Sequence, residues 1–177
     1  MNRFVIANAQ NCIGCRTCEV ACVVAHRESE GLQGLTPGDF SPRIKVVKIA
    51  GVSSVMLCRH CEDAPCAEVC PNGAIVREHD SIQIKQDKCI GCKTCALACP
   101  YGVMQIVAKP TRQTLGGLVT RRLLKVEAVK CDLCQGKAEG PNCVRVCPTE
   151  ALQLVTEDAF NRTMMHRQQQ AALDDLL

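Results

Sequence analysis

The sequence predicts an α+β fold, and three features predict it. Short runs with strand-like alternation recur along the 177 residues. Between them lie brief helical stretches, each opening among closely spaced cysteines. Large aromatic side chains are scarce, with no Trp, one Tyr and three Phe, so the chain has little with which to build a conventional core.

Taken in order, RFVIA (3–7) reads as a strand ahead of the first cysteine group. PRIKVVKI (42–49) and VSSVML (52–57) are strand candidates before the second group, and GAIVRE (73–78) follows it. SIQIKQ (81–86) alternates like a strand, KTCALAC (93–99) reads as a short helix, and VMQIVAK (103–109) as another strand. LLKVEAV (123–129) and ALQLV (151–155) flank the fourth group in the same way. Residues 28–42 and 109–122 are rich in Gly, Pro and polar residues and read as loops. From Asp158 to Leu177 the pattern is helical, and both a surface or docking helix and a frayed terminus remain open.

All sixteen cysteines fall into four groups of four. The groups are Cys12, Cys15, Cys18 and Cys22; Cys58, Cys61, Cys66 and Cys70; Cys89, Cys92, Cys95 and Cys99; and Cys131, Cys134, Cys143 and Cys147. The first and third match C-x2-C-x2-C-x3-C, the run that binds [4Fe–4S] clusters in bacterial ferredoxins. The second and fourth keep the outer spacings and lengthen the middle gap to four and eight residues. Three cysteines at two-residue gaps wrap a tight loop around three corners of a cubane, with Gly14 and Gly91 easing the turn. The fourth lies a helical turn further on, so it points to a neighbouring cluster. Pro71, Pro100 and Pro148 then stop the helix, whereas Val23 stands in that place in the first group. A strand–loop–helix–strand unit repeated four times is consistent with two ferredoxin-like modules, each with two clusters.

Competing uses of the cysteines fare worse. Zinc ribbons use two separated pairs rather than three cysteines at successive gaps. A disulfide scaffold needs an oxidising compartment, and the opening MNRFVIANAQNC has too short an apolar run for a secretory signal, so a cytoplasmic location is expected. A [3Fe–4S] or [2Fe–2S] centre at one site stays open. Four cubanes offer sixteen iron corners to sixteen cysteines, leaving none free for a substrate; transfer of electrons, without catalysis, is the expected role. The formal charge of +3 counts neutral thiols, and four oxidised clusters at about −2 each would take it to about −5. Nucleic-acid binding therefore has no support from charge. No apolar run is long enough to cross a membrane, and no Rossmann, P-loop or nucleophile-elbow pattern occurs.

Among the other polar residues, His60 lies between two ligands, where a local hydrogen bond is favoured over a tuning or proton-carrying role. His26, His79 and His166 are expected in solvated positions. Arg16, Arg59 and Lys93 sit inside cluster loops, with solvent exposure weighed against a tuning or docking role; Glu62 and Asp63 read as loop or cap residues.

Four such groups spanning almost the whole chain, with CEDAPCAEVCPNGAI, CIGCKTCALACPYG and KCDLC among them, resemble the four-cluster ferredoxin-like electron-transfer subunits of the molybdopterin oxidoreductase superfamily. The resemblance implies that groups one and four form an outer module (1–50 plus 111–177) and groups two and three an inserted one (51–110). It also implies the ligand sets: Cys12, Cys15 and Cys18 with Cys147; Cys131, Cys134 and Cys143 with Cys22; Cys58, Cys61 and Cys66 with Cys99; Cys89, Cys92 and Cys95 with Cys70. The implied partners are a molybdopterin-dependent catalytic subunit, above all formate dehydrogenase, and a hydrogenase or another iron–sulfur carrier. No direct membrane attachment is expected, since the anchor of some relatives is missing. An assembly factor for such an enzyme, or an independent polyferredoxin, would share the same fold.

Overall fold

A computed structural model describes residues 1–27, 31, 33–115 and 119–174, with side chains left out of the description at 110–115 and 119–123. Eight strands and five α-helices make up the described chain. Every strand pairs with one other in an antiparallel two-stranded sheet, so the α+β class holds. Two-stranded sheets are marginal alone and need a shared core.

Strand β1 (Phe4–Ala7) pairs with β8 (Leu152–Val155), Val5 facing Leu154, and so ties the two ends of the chain together. Strands β2 (Lys45–Ile49) and β3 (Val52–Met56) form a hairpin, as do β4 (Ile75–Glu78) and β5 (Ser81–Ile84). The expected module bound at residues 50 and 51 falls at the turn of the β2–β3 hairpin, and the other, at 110 and 111, falls within a strand of a longer hairpin.

That longer hairpin corrects the sequence reading. Residues 109–115 and 119–122, expected in a loop, belong to β6 (Gln105–Leu115) and β7 (Val119–Val129). The two arms stay in register from Gln105↔Val129 to Leu115↔Val119. Pro110 is tolerated because a two-stranded ribbon has only edge strands, and Thr111, Thr114, Val119 and Thr120 supply β-branched residues. The middle of the expected loop, residues 116–118, lies outside the described residues, as do 28–30 and 32 of the other expected loop. Within the rest of 28–42 only a single 3-10 turn, Pro37–Asp39, is present.

The helices at the cysteine groups are α1 (Thr17–Ala25), α2 (Pro65–Glu68), α3 (Thr94–Ala98) and α4 (Asn142–Arg145). The last three end before their proline. Helix α1, with Val23 in that place, runs three residues past Cys22. Helix α1 packs on α4, and α2 on α3. Cysteines share the core with aliphatic side chains in two clusters. One gathers Val5, Ile44, Val46, Val55, Leu57 and Leu152 with Cys18, Cys22, Cys58, Cys131 and Cys143. The other gathers Ile75, Ile82, Met104 and Ala128 with Cys95, and Cys99 touches both. The tail forms helix α5 (Glu157–Asp174), none of whose residues is buried; the amino group of Met1 holds its first turn through Glu157 at 3.0 Å. No described helix is long and apolar enough to cross a membrane.

Candidate iron–sulfur centres

Three of the four expected ligand sets each line a cavity of their own. Cys12, Cys15, Cys18 and Cys147 share one with Val46, Val55 and Leu152. Cys58, Cys61, Cys66 and Cys99 share a second with Ile82, Val103 and Met104. Cys89, Cys92, Cys95 and Cys70 share a third with Ile75, Ile84 and Ala128. In the remaining set Cys22, Cys131, Cys134 and Cys143 are all buried.

The loops achieve this by backbone turns that few residues accept. Gly14 and Gly91 both have φ +69, and the residues two further on, Arg16 and Lys93, are also left-handed at φ 64 and 70. Each of those two residues caps a helix start, so the next cysteine enters α1 or α3 at once. Backbone N–H groups then point at sulfur. Arg43 N donates to Cys22 Sγ, Ala74 N to Cys70 Sγ and Ala151 N to Cys147 Sγ, each at 3.3 Å, and His60 N to Cys58 Sγ at 3.4 Å.

Burial decides the protonation of the free thiols. It pushes Cys18 and Cys66 up to about 11 and Cys143 up to about 12, and it raises Cys131 well above the ordinary thiol range. Such cysteines become thiolates only when a metal takes up the charge. At Cys15 and Cys92 the hydroxyls of Thr17 and Thr94 donate to sulfur at 3.4 Å and lower the thiol below its ordinary range.

Two charged networks lie beside these cysteines. His26 caps α1, its Nδ1 donating to the Cys22 carbonyl at 2.7 Å and its Nε2 to Asp132 at 2.9 Å. Burial opposes charge on His26, but the bonds to Asp132 and Cys22 outweigh it and hold its pKa up to about 9. Burial opposes charge on Asp132 as well, and His26 and Arg43 hold it down to about 2. His26 is therefore an enclosed, ion-paired residue and not the solvated one expected; the overrun of α1 past Cys22 brings it there. His79 and His166 are exposed.

His60 is 1% exposed, its Nδ1 accepting from Ile82 N at 2.9 Å. Burial, with the charge of Lys130 second, holds it down to about 3, so it is neutral and its proton sits on Nε2. That Nε2–H is buried without a protein partner. Arg59 is half-buried at the rim of the Cys58 cavity. Glu62 accepts from Asn2 N at 2.5 Å and pairs with Arg77 at 2.6 Å, and Asp63 is exposed.

Lys130 was not foreseen. It is 3% exposed, donates to the carbonyls of Ile82 and Cys131, and lines the Cys58–Cys61–Cys66–Cys99 cavity. No carboxylate among the described residues pairs with it. A buried ammonium needs a counter-charge, and an anionic cluster would supply one. With sixteen unpaired thiols, apolar cavities, N–H groups on sulfur, an orphaned imidazole N–H and this ammonium, the donor set fits iron–sulfur cubanes.

The 4Fe-4S dicluster domain family matches residues 52–114 in one of its forms and 88–151 in another. Electron transport protein HydN of Escherichia coli (strain K12) is 50% identical over 173 residues, covering 98% of this chain and 99% of that protein. Hydrogenase-4 component A of the same strain is 40% identical over 194 residues, covering 97% of this chain and 91% of that one. The chain belongs to the 4Fe-4S dicluster ferredoxins, as a HydN-type electron-transfer subunit.

Proposed function

We propose that the chain is a linear relay of four [4Fe–4S] clusters carrying single electrons between a molybdenum- or tungsten-pterin oxidoreductase, formate dehydrogenase, and an acceptor such as hydrogenase. It has no substrate site of its own and works in the cytoplasm. One observation carries the linear reading: among sixteen cysteines only Cys15 and Cys92 are exposed, and they belong to different sets. These mark the two ports of the wire. The sets containing Cys131 and Cys58 form its enclosed middle, where Lys130 adjoins Cys131 in sequence and lines the cavity of Cys58.

In this reading each cubane takes three ligands from one loop and a fourth from its module mate. Residues 1–50 with 111–177 form the outer module and 51–110 the inserted one. Each cluster supplies a one-electron couple. The chain's own residues exclude water with apolar walls, donate N–H groups to sulfur, and place the cation of Lys130 where added negative charge is favoured. The names of the relatives, an electron transport protein and a hydrogenase component, support redox partners of these classes.

The reading is tested by mixing the reconstituted protein with formate and candidate dehydrogenase and following cluster reduction by EPR. Reduction at a catalytic ratio of dehydrogenase is expected. A protein never reduced under these conditions while forming a stable complex on pull-down would instead be an assembly factor.

A further inference from the structure

Between Asp87 and Glu127 the sequence holds seven cations and no acid: Lys88, Lys93, Lys109, Arg112, Arg121, Arg122 and Lys125. Five of the seven lie on the β6–β7 ribbon. Its register sets Lys109 opposite Lys125 and Arg112 opposite Arg122. Like charges directly opposite destabilise a strand pair. Glu127 answers the inner pair, accepting from Lys109 at 3.3 Å and Lys125 at 2.9 Å. The sequence supplies no acid to the outer part of the arm.

Burial falls along the ribbon in one direction. Ala128 and Val129 are buried, Val126 and Val107 half-buried, Ala108, Lys109 and Leu124 exposed. Among the described residues, exposure therefore rises away from the base of the ribbon. Its base is fixed to the third cysteine loop: a Cβ on Gly91 would meet Val126 O at 2.5 Å. Gln86 clamps it from the same side, donating to Ala128 O at 2.8 Å and accepting from Lys125 Nζ at 2.7 Å. Beside that base Lys88, Cys92, Lys93 and the apolar Ile90 are exposed and line one cavity with Ala128 of β7, and Leu124 is exposed on the same strand.

We propose that the β6–β7 ribbon is a docking arm for an acidic surface on a protein redox partner, seating it at the Cys92 port. This deepens the relay reading and rests on it. The loaded protein carries about −5 overall, so an acidic partner is repelled elsewhere and drawn to this arm. Its carboxylates relieve the opposed cations, and the apolar side chains around Cys92 form the dry contact behind them.

The probe is an acidic plant-type [2Fe–2S] ferredoxin, its binding to the loaded full-length protein measured by surface plasmon resonance at 20 and 200 mM salt. Affinity is expected to fall at least about tenfold between those salts, and at least about fivefold in Arg112→Gln/Arg121→Gln/Arg122→Gln with unchanged cluster absorbance. Should the variant lose its clusters, the salt response of the native protein decides alone. Absent binding, affinity that rises with salt, or affinity indifferent to the three substitutions overturns the proposal. So does tighter binding to phosphatidylserine vesicles or duplex DNA than to the ferredoxin. Because no dehydrogenase is present, failure here removes the arm and leaves the relay standing, whereas failure of formate-driven reduction does the reverse.

Discussion

Two loops of nearly the same sequence, CIGCRTC at 12–18 and CIGCKTC at 89–95, are set against different walls. Both turn through a left-handed glycine and a left-handed cation, and both have a threonine hydroxyl on the exposed sulfur. Behind Gly14 stand the ends of side chains from β2–β3: a Cβ there would meet Lys48 Cε at 2.5 Å and Ser53 Oγ at 2.7 Å. Behind Gly91 stands backbone, Val126 O at 2.5 Å, with Val126 Cβ at 2.9 Å. The first wall can yield and the second cannot. The motif therefore specifies the cluster loop, while the hairpin behind it decides how rigidly that port is held.

Iron removal has the largest expected effect on both proposed ports, because in the proposed ligand sets each cluster joins distant stretches of chain, and cysteines are core residues. Chelation followed by circular dichroism should show loss of the native signal; an apo-protein that keeps it would refute the crosslinking role.

The walls are separated next. Gly14→Ala should cost about 1–2 kcal/mol from its left-handed backbone, Lys48 swinging aside. Gly91→Ala bears the same cost and must also displace β7, so cluster loss on heating, followed by absorbance, should come at a lower temperature than in Gly14→Ala. Equal melting of the two variants would sink the comparison.

Lys130→Met tests the enclosed middle. Removing a buried cation disfavours the added electron, so the potential of one cluster should fall. The loss is roughly 2–3 kcal/mol per unit charge for a separation of about 6–8 Å at an effective dielectric constant of about 20. An EPR-monitored redox titration should show this one cluster shifted and the others in place; a uniform shift would point to general loosening.

The smallest effects are expected at the exposed sulfurs. Thr17→Val and Thr94→Val each remove one hydroxyl donor, worth about 1 kcal/mol or less. Each should lower the potential of its own cluster, with Ser restoring it. A Thr94→Val effect on the cluster of Cys15 would contradict the assignment of separate ports.

The cysteine groups, their short helices and the flanking strands were legible because their signals are local: fixed spacings, a stopping proline, alternation over four or five residues. The long hairpin was not. Its sequence lacks a clear apolar alternation, and Pro110 with Gly116 and Gly117 carries the composition of a loop. Its β-branched residues were the available clue. His26 and Asp132 are 106 residues apart, so no spacing rule joins them. Lys130 stands beside Cys131 in sequence, yet its role depends on the cavity of Cys58, Cys61, Cys66 and Cys99, which only tertiary structure brings near.

The burial of that lysine also bears on the empty protein. An ammonium shut among carbonyls and apolar walls is costly to bury until an anionic cluster arrives beside it. In the proposed relay, packing of the chain around Cys58 and Cys131 is therefore expected to be more favourable in the cluster-loaded protein than in the empty one, so that Lys130 couples local stability to cluster content.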